Sequence, residues 1–121
     1  MADTATTSDS VTVARTYFTA WKEKDFDTLR SVLADDATFQ GPLATLKGAD
    51  DCVAGLKGMS QILEGIDVKH VFDDGPDVLT WFDLRTSVAS PAPTANWMHI
   101  KDGSIRAIRV TFDPREIVAA G

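Results

Sequence analysis

The sequence predicts an α+β domain in which helices come first and then cover one face of an antiparallel sheet. Two observations carry this prediction. Apolar residues recur every three or four positions in the first half of the chain, and every second position from Ile66 onward. Asp73-Asp74-Gly75-Pro76 and Lys101-Asp102-Gly103 are short turn sequences of the kind that join antiparallel strands. With 121 residues, 44% of them hydrophobic, the chain has the size of one domain with its own core.

Three helices are predicted in the first half of the chain. The first begins at a cap formed by Ser8 or Ser10 and presents an apolar stripe of Val11, Ala14, Tyr17, Phe18 and Trp21. The second is short and is capped by Asp25. Its apolar positions are Phe26, Leu29, Val32 and Leu33. The third follows Gly48 and uses Val53, Leu56, Met59, Ile62 and Leu63. Gly55 and Gly58 weaken this third helix, or mark the close approach of another element.

Five strands are predicted. A short one at residues 37–40 precedes the third helix and is stopped by Gly41-Pro42. The other four lie in the second half of the chain, at Ile66–Phe72, Val78–Val88, Ala95–Lys101 and Ile105–Phe112. The segment Ser90-Pro91-Ala92-Pro93 separates the middle two. We expect residues 1–10 to be a disordered tail, residues 11–117 to be the single domain, and residues 118–121 to be a C-terminal tail.

Composition narrows the classes of function. Twelve Lys and Arg residues against 18 Asp and Glu give a net charge of −6, which argues against nucleic acid as a partner. No apolar run approaches the length of a membrane span, and no signal peptide is recognised, so we expect no membrane partner. A single cysteine, Cys52, fits a reducing cytoplasm. Two histidines without clustered carboxylates or thiols predict no metal site, and no motif calls for a cofactor.

Several motifs carry a resemblance to a known family. They are Tyr17-Phe18-Thr19-Ala20-Trp21, Lys24-Asp25-Phe26-Asp27, Leu33-Ala34-Asp35-Asp36-Ala37-Thr38-Phe39-Gln40-Gly41-Pro42, Lys101-Asp102-Gly103-Ser104-Ile105 and Phe112-Asp113-Pro114-Arg115-Glu116. Together they resemble the nuclear-transport-factor-2-like superfamily, which includes ketosteroid isomerases, SnoaL-like polyketide cyclases and limonene-epoxide hydrolases. The resemblance covers about residues 11–117. It is specific for the fold and says less about activity, because this fold hosts enzymes and non-enzymes alike.

The resemblance implies a cone-shaped architecture. A curved mixed sheet, mainly antiparallel, wraps around the N-terminal helices and encloses an apolar pocket. Enzymes of the superfamily have their catalytic residues near the mouth of this pocket. Many members form dimers through the outer face of the sheet. The chain is therefore expected to form a homodimer through that face and to bind a small hydrophobic molecule.

The best-known catalytic sets of the family are incomplete here. Tyr17 matches the isomerase tyrosine that donates to the oxyanion, and the second oxyanion donor falls at about Asn96, but the position of the base is Gly41. In the hydrolase pattern, Asp83 matches the first aspartate. The remaining positions of that pattern are occupied by Trp81, Val110, Phe39 and Gly41. Steroid isomerisation and epoxide hydrolysis by those routes are therefore disfavoured.

Asp83 is the leading candidate for chemistry. A carboxylate in the middle of a strand is costly to bury without a partner. If it faces the pocket beside Trp81, desolvation raises its pKa and makes it a general acid or base. The alternative is a structural cross-strand ion pair, with a partner among Arg85, Arg106, Arg109 and His99.

The other candidates are expected to line the pocket. Tyr17 and Trp21 lie one helical turn apart and either face a ligand or form ordinary core. His99 is a further acid–base candidate, because histidine titrates near neutrality, but a surface role is the alternative. His99 alternates with Met98, so only one of them points inward. The predicted ligand-binding set is Tyr17, Trp21, Phe39, Met59, Trp81, Asn96, Met98 and Val110.

Two functions follow from these expectations. The first is binding of a small hydrophobic or oxygenated metabolite, with isomerase, cyclase or lyase-type proton transfer at Asp83 assisted by Tyr17 and Asn96. The second is a non-catalytic dimeric module of the same fold that binds a ligand or another protein. A pocket-facing Asp83 without a basic partner favours the first, and a solvent-exposed ion pair removes it.

Overall fold

The computed structural model of the chain describes residues 9–120. Residues 1–8 of the predicted tail, with the candidate cap Ser8, therefore lie outside the described residues, whereas Asp9 and Ser10 are already helical, so Ser10 is not the cap. The helices are α1 (Asp9–Glu23), α2 (Phe26–Ser31), α3 (Ala49–Met59) and α4 (Arg115–Ala120). The strands are β1 (Leu33–Gln40), β2 (Thr45–Lys47), β3 (Leu63–Asp74), β4 (Asp77–Thr86), β5 (Ala89–Lys101) and β6 (Ser104–Thr111).

The six strands form one sheet in the order β2-β1-β6-β5-β4-β3. Only β1 and β6 run parallel, and the other neighbours are antiparallel. The register shifts between β3 and β4, between β4 and β5, and between β5 and β6. Such bulges increase strand bending and twist, which gives the sheet its curvature. The predicted fold, a curved and mainly antiparallel sheet covered by N-terminal helices, is confirmed.

The two N-terminal helices form where the apolar stripe and the cap predict them. In α1 the whole stripe is buried, from Val11 to Trp21. At the start of α2 the Asp25 carboxylate accepts hydrogen bonds from the Thr28 backbone N–H at 3.2 Å and from the Thr28 hydroxyl at 2.7 Å. These bonds favour the ionised carboxylate and lower the pKa of Asp25. This helix is shorter than expected, because Leu33 already begins β1.

β4 and the C-terminal part of β5 alternate cleanly between a helix-covered face and an outer face. In β4, the side chains of Val78, Thr80, Phe82, Leu84 and Thr86 are buried, and those between them are exposed or half-buried. In β5, the buried positions are Thr94, Asn96, Met98 and Ile100. The helices therefore cover one face only, and the parity of a residue along its strand decides whether it can reach the interior.

Other boundaries also differ from prediction, since α3 ends at Met59 and Leu63, expected in that helix, begins β3. β5 begins at Ala89 and includes Pro91 and Pro93, which were expected to separate two strands. Proline is tolerated there because this half of β5 has a partner strand on one side only. It pairs with β4, whereas β6 pairs with β5 only from Ala95 onward. Residues 118–120, expected as part of a tail, belong to α4. That helix is fastened to the sheet by Glu116, whose carboxylate accepts from the Ser90 N–H and hydroxyl, both at 3.1 Å.

The close approach suggested by the glycines of α3 occurs at Gly55. A Cβ placed on Gly55 would lie 2.5 Å from Leu46 Cδ1 of β2, whereas one on Gly58 would meet nothing within 4 Å. β2 has only three residues and was not predicted. None of the helices within residues 9–120 is both long enough and apolar enough to span a membrane.

Candidate ligand-binding pocket

A pocket of about 100 Å³ lies between α1, α3 and the inner face of the sheet, and it is partly open to solvent. The loop from β1 to β2 contributes to its wall, with exposed Leu43 as one of the lining residues. The lining is mostly apolar and consists of Tyr17, Trp21, Phe39, Gly41, Pro42, Leu43, Ala44, Leu46, Gly55, Leu56, Met59, Phe82, Leu84, Thr94, Asn96, Val110 and Phe112.

Six of the eight residues expected to contact a ligand are brought together in this pocket. They come from α1, β1, α3, β5 and β6, and they are Tyr17, Trp21, Phe39, Met59, Asn96 and Val110. Their convergence follows from topology, because the stripe of α1 and the inward positions of the strands face the same interior.

Trp21 supplies an apolar surface to the pocket. Its indole N–H donates to the Leu56 carbonyl at 2.8 Å, which joins α1 to the C-terminal half of α3. With its only donor satisfied inside the protein, the side chain has no polar group left for a ligand. Trp21 therefore fixes the distance between the two helices that form this side of the pocket.

Among the lining residues within 9–120, Tyr17 has the only ionisable side chain. It is 1% exposed, and its ring packs edge-on against Phe18 with centroids 5.1 Å apart. Burial, with a smaller contribution from Cys52, raises the pKa of Tyr17 well above its usual range. No side-chain hydrogen bond joins its hydroxyl to another residue within 9–120. The phenol is consequently a neutral group whose hydroxyl has no partner among the described residues.

Asn96 is the most polar side chain of the lining. It is 2% exposed, and its Oδ1 atom has no hydrogen-bond partner among residues 9–120. The neighbouring polar residue of the same strand, Thr94, satisfies its hydroxyl by donating to the Ala92 carbonyl at 2.9 Å. An unpaired buried polar atom costs about 1–3 kcal/mol, so an orphan in a pocket wall is a candidate for ligand contact.

The prediction that Asp83 and Trp81 face the pocket is wrong. Both occupy outward positions of β4, on either side of the buried Phe82. The Asp83 side chain is 34% exposed, and its carboxylate lies 3.9 Å from Lys69 Nζ. Asp83 sits directly across from Asp67 of β3, which is paired in turn with Arg85 at 2.9 Å.

The structural alternative for Asp83 therefore applies, although its partner is Lys69 rather than one of the four basic residues considered. Two carboxylates facing each other on adjacent strands repel, and a cation beside each one offsets that repulsion. The network lies on the outer face of the sheet, so Asp83 cannot act on a molecule in the pocket. The acid–base role assigned to Asp83 is removed by this geometry.

Met98 and His99 also differ from the predicted site. Met98 does point inward, but it is packed into the core and is not part of the pocket lining. His99 points outward, where its Nδ1 lies 2.9 Å from the Asp77 carboxylate of the neighbouring strand. Its ring lies beside Trp97, with centroids 6.2 Å apart. A catalytic role of His99 in this pocket is therefore excluded by its position.

The lining also contains residues that the sequence did not single out. Five of them lie in the segment from Gly41 to Leu46, and another is Phe112 after the last strand. A three-residue strand is too short to show an alternating pattern, so β2 gave no periodic signal. The usable signal was Gly55, because a glycine within an otherwise apolar helix marks the point where β2 approaches α3.

Other reactive groups lie outside the pocket. Cys52 is buried, its Sγ lies 3.7 Å from the Ala37 carbonyl, and burial raises the pKa of its thiol. Within residues 9–120, no group of three or more His, Cys, Asp or Glu side chains is arranged to hold a metal ion. The arrangement can thus bind an apolar molecule and offer it hydrogen bonds from Asn96 and Tyr17.

Comparison with solved structures places this fold in a known architecture. A protein from Kribbella flavida is 31% identical, with a TM-score of 0.84 and coverage of 90% of both chains. An LEH-like epoxide hydrolase of Mycobacterium tuberculosis is 20% identical, with a TM-score of 0.77 over 93% of this chain and 88% of its own. A candidate polyketide cyclase from Sinorhizobium meliloti is 21% identical, with a TM-score of 0.76 over 82% and 93%.

The last two similarities concern the fold alone, since proteins of this shape differ in activity. No curated protein matches the chain significantly. The family model of the SnoaL-like domain matches residues 14–108, which extend from α1 into β6 and include most of the pocket. The chain belongs to the SnoaL-like domain family.

Proposed function

We propose that the protein binds a small, largely apolar molecule in the pocket between α1, α3 and the sheet, without acid–base chemistry by its own side chains. The observation that carries this proposal is an apolar lining interrupted by only a few polar groups, one of which, Asn96, is unpaired. Apolar pockets with a few convergent polar groups are the usual form of small-molecule sites.

The energetics favour occupancy by an apolar ligand. Removing apolar surface from water contributes about 25 cal/mol per Å², and the walls made by Phe39, Met59 and Val110 are already assembled. A pre-formed wall lowers the ordering cost of binding. A cavity of about 100 Å³ suits a small ligand, since an engineered apolar cavity of about 150 Å³ in another protein holds benzene.

The absence of an acid–base group from the lining supports binding rather than proton transfer. A general acid or base works best when its pKa lies near the operating pH. Tyr17, the only ionisable residue of the lining, has its pKa shifted away from neutrality by burial. Asp83 and His99 lie on the outer face, with the sheet between them and the pocket.

A pocket-filling substitution tests this proposal. Val110→Phe adds a ring inside the pocket, whereas Val88→Phe adds the same ring at an exposed position that does not line it. Binding of 2,3-dimethylbutane is followed by NMR titration of the methyl and aromatic signals. We expect wild type and Val88→Phe to bind alike, and Val110→Phe to bind at least about tenfold more weakly. Equal binding by all three proteins, or none by wild type, would contradict the proposal.

A second proposal concerns the outer face of the sheet, which we infer to be the interface of a homodimer. Phe72, Leu79, Trp97 and Arg109 form one cross-strand row on this face. Phe72 is 59% exposed and Trp81, in the next row, is 40% exposed. Contiguous exposed aromatic surface of this kind is typical of protein interfaces.

A second copy is the occupant that this face fits best. Its apolar centre is flanked by carboxylates and by cations, including Asp77, Asp83, Lys69 and Arg85. A two-fold axis brings the same patch of both copies together, so each sign of charge can meet the other. Because the pocket lies on the opposite face, the dimer leaves it accessible.

Sedimentation velocity tests the dimer. We expect wild type to sediment as a dimer and the variant carrying Phe72→Lys and Trp81→Lys to sediment as a monomer, because buried lysines would oppose each other across the interface. Val118→Lys, which changes an equally exposed apolar residue of α4, should remain dimeric. A monomeric wild type, or a dimeric double variant, would rule out this interface.

A further inference from the structure

The unpaired amide of Asn96 carries information about the ligand. We propose that the pocket selects neutral molecules whose polar group both donates and accepts hydrogen bonds, such as a primary carboxamide or an alcohol, and that it rejects carboxylates. This inference rests on the proposed ligand binding and adds the chemical class of the ligand. It is carried by the Asn96 amide together with the charge-free lining around it.

The hydrogen-bonding capacity of the amide defines the polar group. An asparagine side chain offers an accepting oxygen and a donating NH₂ group. In Asn96 the oxygen has no partner, and no hydrogen bond links the NH₂ group to another residue within 9–120. The amide therefore keeps a donor and an acceptor for a partner other than residues 9–120.

Ligand groups that only accept hydrogen bonds leave part of this capacity unmet. A ketone, an ether or an epoxide can receive a bond from the NH₂ group but can give none to the oxygen. A carboxamide or a hydroxyl can do both, and the unused hydroxyl of Tyr17 can meet a remaining lone pair. A buried polar atom left unpaired lowers affinity, so the donor-bearing ligand is preferred.

The absence of charge from the described lining determines which ligands the pocket excludes. Within residues 9–120, none of the lining residues is a lysine, an arginine or a histidine, so this lining offers no cation to an anionic ligand. Transfer of a carboxylate from water into an apolar site without a counter-charge is strongly unfavourable. The buried phenol of Tyr17 stays neutral and donates only a hydrogen bond. An acid would therefore enter only in its protonated form.

Three molecules of nearly identical shape separate these effects. 2,3-Dimethylbutane is apolar, isobutyramide carries a neutral donor and acceptor, and isobutyrate carries a charge at the same position. Each is titrated at pH 7.5 into wild type and into Asn96→Leu, with NMR shifts of the pocket residues as the readout. Asn96→Leu keeps the branching of the side chain and removes the amide. Asn96→Val, with the branched side chain that strands favour, is the second variant if the first does not fold.

We expect wild type to bind isobutyramide at least about tenfold more tightly than isobutyrate. We also expect Asn96→Leu to weaken isobutyramide about tenfold while leaving 2,3-dimethylbutane bound as tightly as in wild type, or more tightly. Equal affinity of wild type for isobutyrate and isobutyramide, or an unchanged affinity of the variant for isobutyramide, would overturn the inference. Neither outcome touches the proposed function, which fails instead if 2,3-dimethylbutane does not bind to wild type.

Discussion

The orientation of single side chains in β4 and β5 determines which functional groups face the pocket. Asn96 and Phe82 face the helices, while the adjacent Asp83 and Trp97 face the opposite side. One position along a strand separates a group that can contact a ligand from one that cannot. Within residues 9–120, the hydroxyl and amide groups of the lining are therefore all neutral, and they belong to Tyr17, Thr94 and Asn96.

The outward position of Asp83 leads to a prediction at this scale. We expect Asp83→Asn to change the free energy of unfolding by less than about 1 kcal/mol, the range typical of partly exposed ion pairs. It should also leave the binding of 2,3-dimethylbutane unchanged, because the carboxylate does not reach the pocket. Urea denaturation and an NMR titration measure the two effects. A loss of binding in Asp83→Asn, with stability retained, would show that Asp83 acts on the ligand.

Tyr17 gives a second prediction, and as the only tyrosine of the chain it can be observed without interference. Burial raises its pKa in the folded state above the ordinary value of 10.0. The stability carried by the neutral phenol is therefore fully present below pH 10. It is lost as the pH rises further, by about 1.4 kcal/mol per pH unit, because only the unfolded chain releases the proton.

Absorbance at 295 nm and denaturation between pH 9 and 11.5 test this titration. Phenolate should appear in wild type only together with unfolding. Tyr17→Phe should lose stability less steeply in this range, since its lysines and Cys52 titrate as before but the phenol is gone. Phenolate formation in the folded protein near pH 10 would mean that Tyr17 is not buried as described.

At the scale of the elements, the contact between α3 and β2 sets the width of the pocket. Gly55 allows Leu46 to lie against α3, and both residues line the pocket. Gly58, one turn later on the same helix, has open space around it. The two glycines thus form a matched pair in which only one has a structural reason to be glycine.

Alanine at each glycine tests this contact. Gly58→Ala should raise the free energy of unfolding by about 0.5–1 kcal/mol, because alanine favours a helix. Gly55→Ala should be less stable than Gly58→Ala by about 1–3 kcal/mol, because the added methyl group overlaps Leu46. It should also weaken the binding of 2,3-dimethylbutane as Leu46 is displaced towards the ligand. Equal stability and equal affinity of the two variants would show that the approach of β2 is unimportant.

Elements with a long periodic pattern could be predicted from the sequence, and those without one could not. The stripe of α1 and the alternation in β5 placed Tyr17, Trp21 and Asn96 correctly. In β4 the two faces are both partly apolar, since Leu79 and Trp81 accompany charged residues on the outer side. Asp83 and Arg85, two charged residues on the same face, indicated that this side faces solvent. The match of Asp83 to the hydrolase aspartate instead favoured a position inside the pocket.

For the whole molecule, the two faces of one sheet have separate roles in this account. The inner face, with α1 and α3, forms the pocket, and the outer face presents the aromatic row that we assign to a dimer. The three tryptophans of the chain report on both. Trp21 lines the pocket, whereas Trp81 and Trp97 lie on the outer face.

The most direct test of the central claim is the indole N–H region of the ¹⁵N NMR spectrum during a titration with isobutyramide. The Trp21 signal, whose N–H is held by the Leu56 carbonyl, should shift progressively and saturate. The Trp81 and Trp97 signals should stay in place at constant protein concentration. A shift of Trp81 or Trp97 without one of Trp21 would contradict the account, and so would three signals that do not move.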